Sequence, residues 1–333
     1  MKQLLKNWTM GALALIMVLA LAACGSSGEP KQMTETAPAE QAAPPAEEGN
    51  TLKTEYPLTV KDATGEEFTF KEAPKKIISI SPAETEILFA IGLNEEIAGV
   101  SDFDDYPEAA SAKPKMGDLF SPNQEAIIAA QADLVVTGIS TSAEAAQHLR
   151  DLGIPVFKTD PKKVDDVIAN IELFGKITDH QEQAKKVVDK MKQDRDEVTE
   201  AVKSLASEQK KKVYIEFSEG WTVGSGEFID ELITLAGGIN VAADTVGWNE
   251  ISEEKIIKDN PDVILFSKNV VDEKTKQTLD QMIKARSGWD QITAVKNNAI
   301  YGLDDNLVSR PGPRVIEGLK IIANAIYPEL VKP

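Results

Sequence analysis

From Lys76 onward, short apolar runs alternate with stretches of helical period. Ile77-Ile78-Ser79-Ile80 predicts a buried strand. Ser81-Pro82-Ala83-Glu84 then predicts a helix start, with a serine N-cap, proline at the first position and a glutamate closing a capping box. That helix carries Ile87, Leu88 and Ile91 and stops at Gly92. Residues 97–100 form a second strand. Ser121-Pro122-Asn123-Gln124 reads as another capping box, opening a helix that leads to the strand at 134–136. A helix containing His148 precedes a strand at 154–157, strands recur at 213–217 and 263–266, and a helix over 313–327 closes the chain. Such alternation implies a parallel sheet with helices on both faces. Ahead of it, residues 58–62 and 68–70 flank Ala63-Thr64-Gly65-Glu66 and read as a β-hairpin.

The middle of the chain breaks this rhythm. Over residues 179–206, Ala184, Val187, Val188, Met191, Val198, Ala201, Val202 and Leu205 recur at spacings of three and four, without Gly or Pro. The spacing predicts one amphipathic helix of about 26 residues, roughly 39 Å at 1.5 Å per residue. A helix of that length in mid-chain suits a strut between two lobes. A faint repeat agrees: Glu125 precedes Asp133 by eight residues, Glu254 precedes Asp262 by eight, and each glutamate has an isoleucine pair two and three residues later. Each lobe therefore presents one glutamate in the first turn of an equivalent helix.

The first residues follow another pattern. Lys2 and Lys6 precede an apolar run that ends in Leu21-Ala22-Ala23-Cys24. This is a secretory signal too short for a comfortable span, with the chain's single cysteine where a lipoprotein signal places the acylated residue. Lipid on Cys24 would tether the chain to the outer face of a membrane. Residues 25–50 are rich in Gly, Ser, Pro, Ala and Glu and read as a flexible tether, with order beginning near Tyr56. The resulting division is 1–23 signal peptide, 24–55 lipidated cysteine and tether, 56–178 N-terminal lobe, 179–206 connecting helix and 207–333 C-terminal lobe.

Of 36 basic residues, removal of Lys2 and Lys6 leaves 34 against 54 acids, a formal charge of −20. That acidity argues against nucleic acid and against peripheral binding to anionic lipid. One cysteine means no internal disulfide. The two histidines, His148 and His180, lie in polar helical contexts and read as solvated surface, so no metal centre or Ser-His-Asp triad is expected. Gly224-Ser225-Gly226-Glu227 is only a shortened echo of a nucleophile elbow.

Several segments resemble a known group. Residues 75–92, Ala98-Gly-Val-Ser-Asp-Phe-Asp-Asp-Tyr-Pro107, Asn260-Pro-Asp-Val-Ile264, Trp289-Asp-Gln-Ile-Thr-Ala-Val295 and Arg310-Pro-Gly-Pro-Arg314 are similar to solute-binding lipoproteins of cobalamin and iron–siderophore ABC importers. The likeness runs over residues 58–330 and implies an α/β fold of two Rossmann-like lobes joined by one long connecting α-helix, with ligand in the cleft between them. It also implies a monomer that is not an enzyme, carries no cofactor and hands a metal chelate to an ABC permease dimer with its ATPase subunits. Glu125 and Glu254 match the glutamates that engage the permease in such importers, although acids are also common in a first turn because they suit the helix dipole.

For the cleft, Phe103, Leu119, Phe120, Trp221, Trp248 and Arg310 are the candidates. Aromatic side chains offer broad apolar contact to a flat or bulky chelate, and an arginine can pair with an anionic group. Phe103 matches a corrinoid-contacting position that is usually tyrosine. The tryptophan found in some cobalamin binders at position 119 is leucine here. Trp289, Arg314 and the Tyr106-Pro107 pair are expected to be structural. A corrinoid is the first expectation, a ferric siderophore the second and haem a distant third, because neither histidine is expected near the cleft. The tether and Gly25 after the cysteine suit a Gram-positive surface.

Overall fold

The structure, a computed structural model, describes residues 52–332; Cys24, the signal segment and most of the tether lie outside them. The N-terminal part begins with the expected antiparallel hairpin of β1 (Leu58–Lys61) and β2 (Glu67–Phe70). Then follow β3 (Ile77–Ser79), α1 (Pro82–Ala90), β4 (Ile97–Val100), α2 (Glu108–Ser111), α3 (Gln124–Ala130), β5 (Leu134–Thr137), α4 (Ala143–Asp151), β6 (Val156–Lys158) and α5 (Val164–Ile177). The helix α6 (Gln181–Val202) leads to the second part, with β7 (Lys212–Glu216), β8 (Trp221–Val223), α7 (Phe228–Leu235), β9 (Ile239–Asn240), β10 (Trp248–Glu250), α8 (Glu253–Asp259), β11 (Val263–Ser267), α9 (Leu279–Ala285), α10 (Thr293–Lys296), β12 (Ile300–Leu303), α11 (Asp305–Val308) and α12 (Val315–Ile326).

Each lobe contains one four-stranded parallel sheet, ordered β4-β3-β5-β6 in the first and β9-β7-β11-β12 in the second. Counting only the strands of each parallel sheet in chain order, both orders read second, first, third, fourth. The faint sequence repeat is therefore a repeat of topology. A reversal of strand order of this kind opens a crevice at the carboxyl ends of the strands.

Alternating side chains along each strand serve two different cores. Ile77, Leu134, Val136 and Phe157 of the first sheet, and Val213, Ile215, Val263 and Leu265 of the second, all belong to one continuous core that runs through α5, α6 and α12. The opposite faces form separate cores: Ile78, Val135 and Val156 with Ile127 and Leu149, and Tyr214, Ile264 and Phe266 with Ile256, Ile283 and Trp289. Because the lobes share their largest core, separating them would expose apolar surface from both.

α6 threads that shared core through Ala184, Val188, Met191, Val198 and Val202. It is shorter than the 179–206 expected, roughly 33 Å long at 1.5 Å per residue. Asp179 sits in the left-handed region (φ 59°), which no helix residue adopts, and beyond Val202 the chain tightens as Lys203 N–H donates to Glu200 O. Order also begins before Tyr56. Thr54 N–H donates to Asp179 Oδ1 (2.6 Å), and the Thr54 hydroxyl donates to Lys176 O (2.7 Å), so residues 54 and 55 belong to the lobe rather than the tether.

Both expected capping boxes fail. Ser81 occupies the N-cap of α1 without a side-chain cap bond, and Glu84 turns into the buried floor of the lobe instead. The cap of α3 is Asn123, whose side chain accepts from Ala126 N–H, while Pro122 is drawn into a bridge with Gly117. β6 starts at Val156, two residues later than expected, since Pro155 has no N–H for the ladder. β8, β9, β10 and β12 are additional to the strands expected.

Candidate functional site

All strands in a parallel sheet deliver their carboxyl ends to one edge, so the loops after them form one surface per lobe. In the first lobe that surface is built on buried ionisable side chains. Glu84 is wholly buried beneath Gly138, where one carboxylate oxygen accepts from the Thr159 hydroxyl (2.5 Å) and the other has no partner. Burial pushes its carboxyl up, outweighing the hydrogen bond of Thr159 and the charge of Lys158. Lys158, also buried, donates to the carbonyls of Gly138 and Thr159. After β4, the Ser101 hydroxyl donates to Asp104 (2.5 Å), and Lys115 donates to the carbonyls of both residues at 3.0 Å. These bonds fix the short loop that holds Phe103, which is half exposed.

The second lobe presents aromatic side chains on an ion-paired base. Glu216, at the end of β7, is fully buried and takes a fork of hydrogen bonds from Arg286 at 2.6 and 2.9 Å. Its Oε1 also accepts from Gly220 N–H (2.9 Å), which sets the turn leading into Trp221; Gly220 has φ 74°, where a side chain would be strained. β8 and β10 pair antiparallel with Trp221 opposite Glu250 and Trp248 opposite Val223. The two tryptophans are thus diagonal neighbours on one face of that ribbon. They are 45% and 47% exposed, while Trp289 is completely buried against Tyr214 under the Arg286 guanidinium. Trp289 is structural, as expected.

Contacts across the lobes show that the two carboxyl edges face each other. Arg310, in the segment after β12, reaches Asp105 (2.6 Å) and Glu86 (3.2 Å) of the first lobe. Asn306 donates to Asp105, and Arg314 forks onto Glu86 at 2.6 and 2.8 Å while lying 3.8 Å over the Tyr106 ring. Partial burial opposes ionisation of Asp105, but hydrogen bonding and charge from Arg310 hold its carboxyl below the usual range.

The candidate residues therefore fall into three groups. Trp221 and Trp248 stand together. Phe103 and Arg310 meet across the lobes, through a long bond from the guanidinium to Phe103 O (3.4 Å). Leu119 and Phe120 line a pocket of about 360 Å³ against Ser142, the cap of α4, and Ala145 and His148 within it. His148 is on the surface, as expected, yet it lies beside two cleft candidates, which sequence spacing did not indicate. His180 is half-buried, with Nδ1 at 2.8 Å from Thr178 O. Among the described residues no group of His, Cys, Asp and Glu is arranged to hold a metal ion. Ser225 donates to Thr245 O (2.7 Å), as a structural hydroxyl would.

Glu125 and Glu254 occupy the same position in α3 and α8, second after caps Asn123 and Ser252. Each helix ends in a left-handed residue, Gln131 or Asn260, and each then leads through an aspartate whose carboxylate accepts from backbone N–H at the start of the first strand: Asp133 from Lys75 and Lys76, Asp262 from Lys212. Both glutamates are exposed.

Glu86, Asp104, Asp105, Glu216 and Arg286 were not singled out from the sequence. The signal available was weak: acids inside segments otherwise apolar enough to be buried.

The profile of the periplasmic binding protein family matches residues 77–307. The chain is 35% identical to an uncharacterized ABC transporter substrate-binding lipoprotein, YvrC, of Bacillus subtilis, over the full length of both. It is 27% identical to a cobalamin-binding protein of Halobacterium salinarum, over 95% of this chain and 85% of that one. Among solved structures, a possible iron-binding, periplasmic solute-binding protein of Staphylococcus epidermidis superposes with a TM-score of 0.66 at 34% identity, covering 77% of this chain and 100% of that one. With two lobes of matching topology, a shared core and facing loop edges, this chain belongs to the periplasmic binding protein family, as an ABC-transporter substrate-binding protein.

Proposed function

We propose that the protein captures a corrinoid between its two lobes and delivers it to an ABC permease, held at the outer face of the cell membrane by lipid on Cys24. The observation that carries this reading is the pair of half-exposed tryptophans, Trp221 and Trp248, set on one ribbon at the carboxyl edge of the second sheet. Large rings left open beside a cleft are suited to a broad, partly apolar chelate. Phe103 supplies the facing ring from the first lobe, Leu119 and Phe120 the side wall, and Arg310 the polar edge where the lobes meet. The relative named as cobalamin-binding supports the same ligand class.

Substrate-binding proteins of this family work with a permease and an ATPase. Glu125 and Glu254 stand at equivalent, exposed positions on helices of matching topology, which supports docking to two related permease subunits. In the proposed division of the chain, residues 1–23 are the signal peptide and Cys24 with the following segment is the anchor and tether. Among the described residues no helix is long and apolar enough to cross a membrane.

Uptake of labelled cyanocobalamin by cells expressing the protein with its permease tests the reading. Corrinoid accumulation that depends on the protein is expected. Accumulation of a ferric siderophore instead would keep the delivery role and replace the ligand; the relative named as possibly iron-binding makes that the second reading.

A further inference from the structure

The loops that bear the aromatic candidates, with the segment carrying Arg310, are residues 101–123, 217–227, 241–252 and 304–314. Their only cations are Lys113, Lys115, Arg310 and Arg314. Each is already engaged by the chain itself. Lys113 donates to Asn94 O (2.6 Å), and Lys115 to the carbonyls of Ser101 and Asp104. Arg310 is held by Asp105 and Glu86, and its side chain is only 15% exposed. Arg314 is spent on Glu86 and the Tyr106 ring.

The acids of the same loops are less occupied. Asp102 and Glu250 are exposed and form no salt bridge among the described residues. Each stands next to an aromatic candidate: Asp102 precedes Phe103, and Glu250 lies opposite Trp221 in the β8–β10 ribbon. Aromatic faces attract positive charge, and an exposed carboxylate beside such a face repels negative charge. A carboxylate-rich ligand would have to take Arg310 from Asp105, leaving that acid uncompensated at the cleft edge.

From these observations we infer that the cleft selects by charge, admitting metal chelates that are uncharged or cationic on the face they present and rejecting polyanionic ones. The inference rests on the reading that this cleft is the ligand site, and it holds for a corrinoid and for a cationic ferric hydroxamate alike. It assigns the selection to built-in pairing, chiefly Arg310 with Asp105, rather than to cleft shape.

Equilibrium dialysis of the full chain in neutral detergent, against four probes, tests it: cyanocobalamin, a cationic ferric tris-hydroxamate, an anionic ferric tris-catecholate and haemin with its two carboxylates. The neutral or the cationic probe is expected to bind, with both anionic probes at least about a hundredfold weaker, since like-charge juxtaposition strongly suppresses wrong partners. Added salt should narrow that gap by screening. Asp105→Asn, which releases one partner of Arg310, should narrow the gap between catecholate and cyanocobalamin binding about tenfold. Wild-type protein binding an anionic probe as tightly as the others overturns charge selection while leaving chelate capture intact. Binding of none of the four overturns both.

Discussion

The two lobes share a frame and differ at its rim. Strand order, the helix before the third strand, its left-handed end and the aspartate that follows are the same in both. The loops at the carboxyl edges are not. The first lobe stabilises its loops with the buried acids Glu84 and Asp104 and with Lys158 and Lys115, while the second rests on the Glu216–Arg286 pair and displays two tryptophans. A shared frame suits a partner that is itself two related subunits, and unlike rims suit a ligand that has two different faces.

The largest effect is expected from the acids on the shared frame. Glu125→Arg and Glu254→Arg should each lower transport to a similar degree, and the double variant should abolish uptake with ligand affinity unchanged, as read by paired uptake and binding assays. Normal uptake by the double variant would remove the docking role.

The buried acids of the two lobes should respond to neutralisation with opposite sign. Glu216→Gln breaks a buried ion pair and should cost about 3–5 kcal/mol of stability in urea unfolding. Glu84→Gln should stabilise the fold at neutral pH. Burial raises the Glu84 carboxyl, so its charged form is disfavoured in the folded chain and opposes folding at neutral pH. Below the usual carboxylate range the unfolded chain is protonated too, and the gain should vanish there. A gain that persists unchanged in acid would contradict this account of Glu84.

A smaller effect separates the rims. Trp248→Ala and Phe103→Ala should each weaken ligand about tenfold, equivalent to about 1.4 kcal/mol, by calorimetric titration. Loss from only one of them would place the ligand on a single lobe.

Much of the frame was legible in the sequence, because buried parallel strands read as continuous apolar runs and each of the four central strands β3, β5, β7 and β11 does so. The edge strands of the second sheet were not, although those of the first, β4 and β6, also read as apolar runs. β9 has two residues, and β12 exposes Tyr301 and Gly302, so neither carries a period. Cap positions failed for a tertiary reason: Glu84 has the spacing of a capping glutamate, yet the lobe floor takes its side chain. At the candidate site, Trp221, Trp248 and Phe103 stood out in the sequence as large rings soon after strands, although Trp221 and Trp248 lie in the short strands β8 and β10. The ion pairs that hold those loops did not stand out, since Arg286 finds Glu216 across 70 residues and Arg310 finds Asp105 across 205. One sequence gives no sign of such distant partners.

Tryptophan fluorescence during a cyanocobalamin titration reads ligand capture at the aromatic rim. Wild-type protein should show saturable quenching that is largely lost in a Trp221→Phe, Trp248→Phe variant, where the buried Trp289 is the one tryptophan left among the described residues. Quenching of the same depth and midpoint in that variant, or no saturable quenching in the wild type, would contradict it.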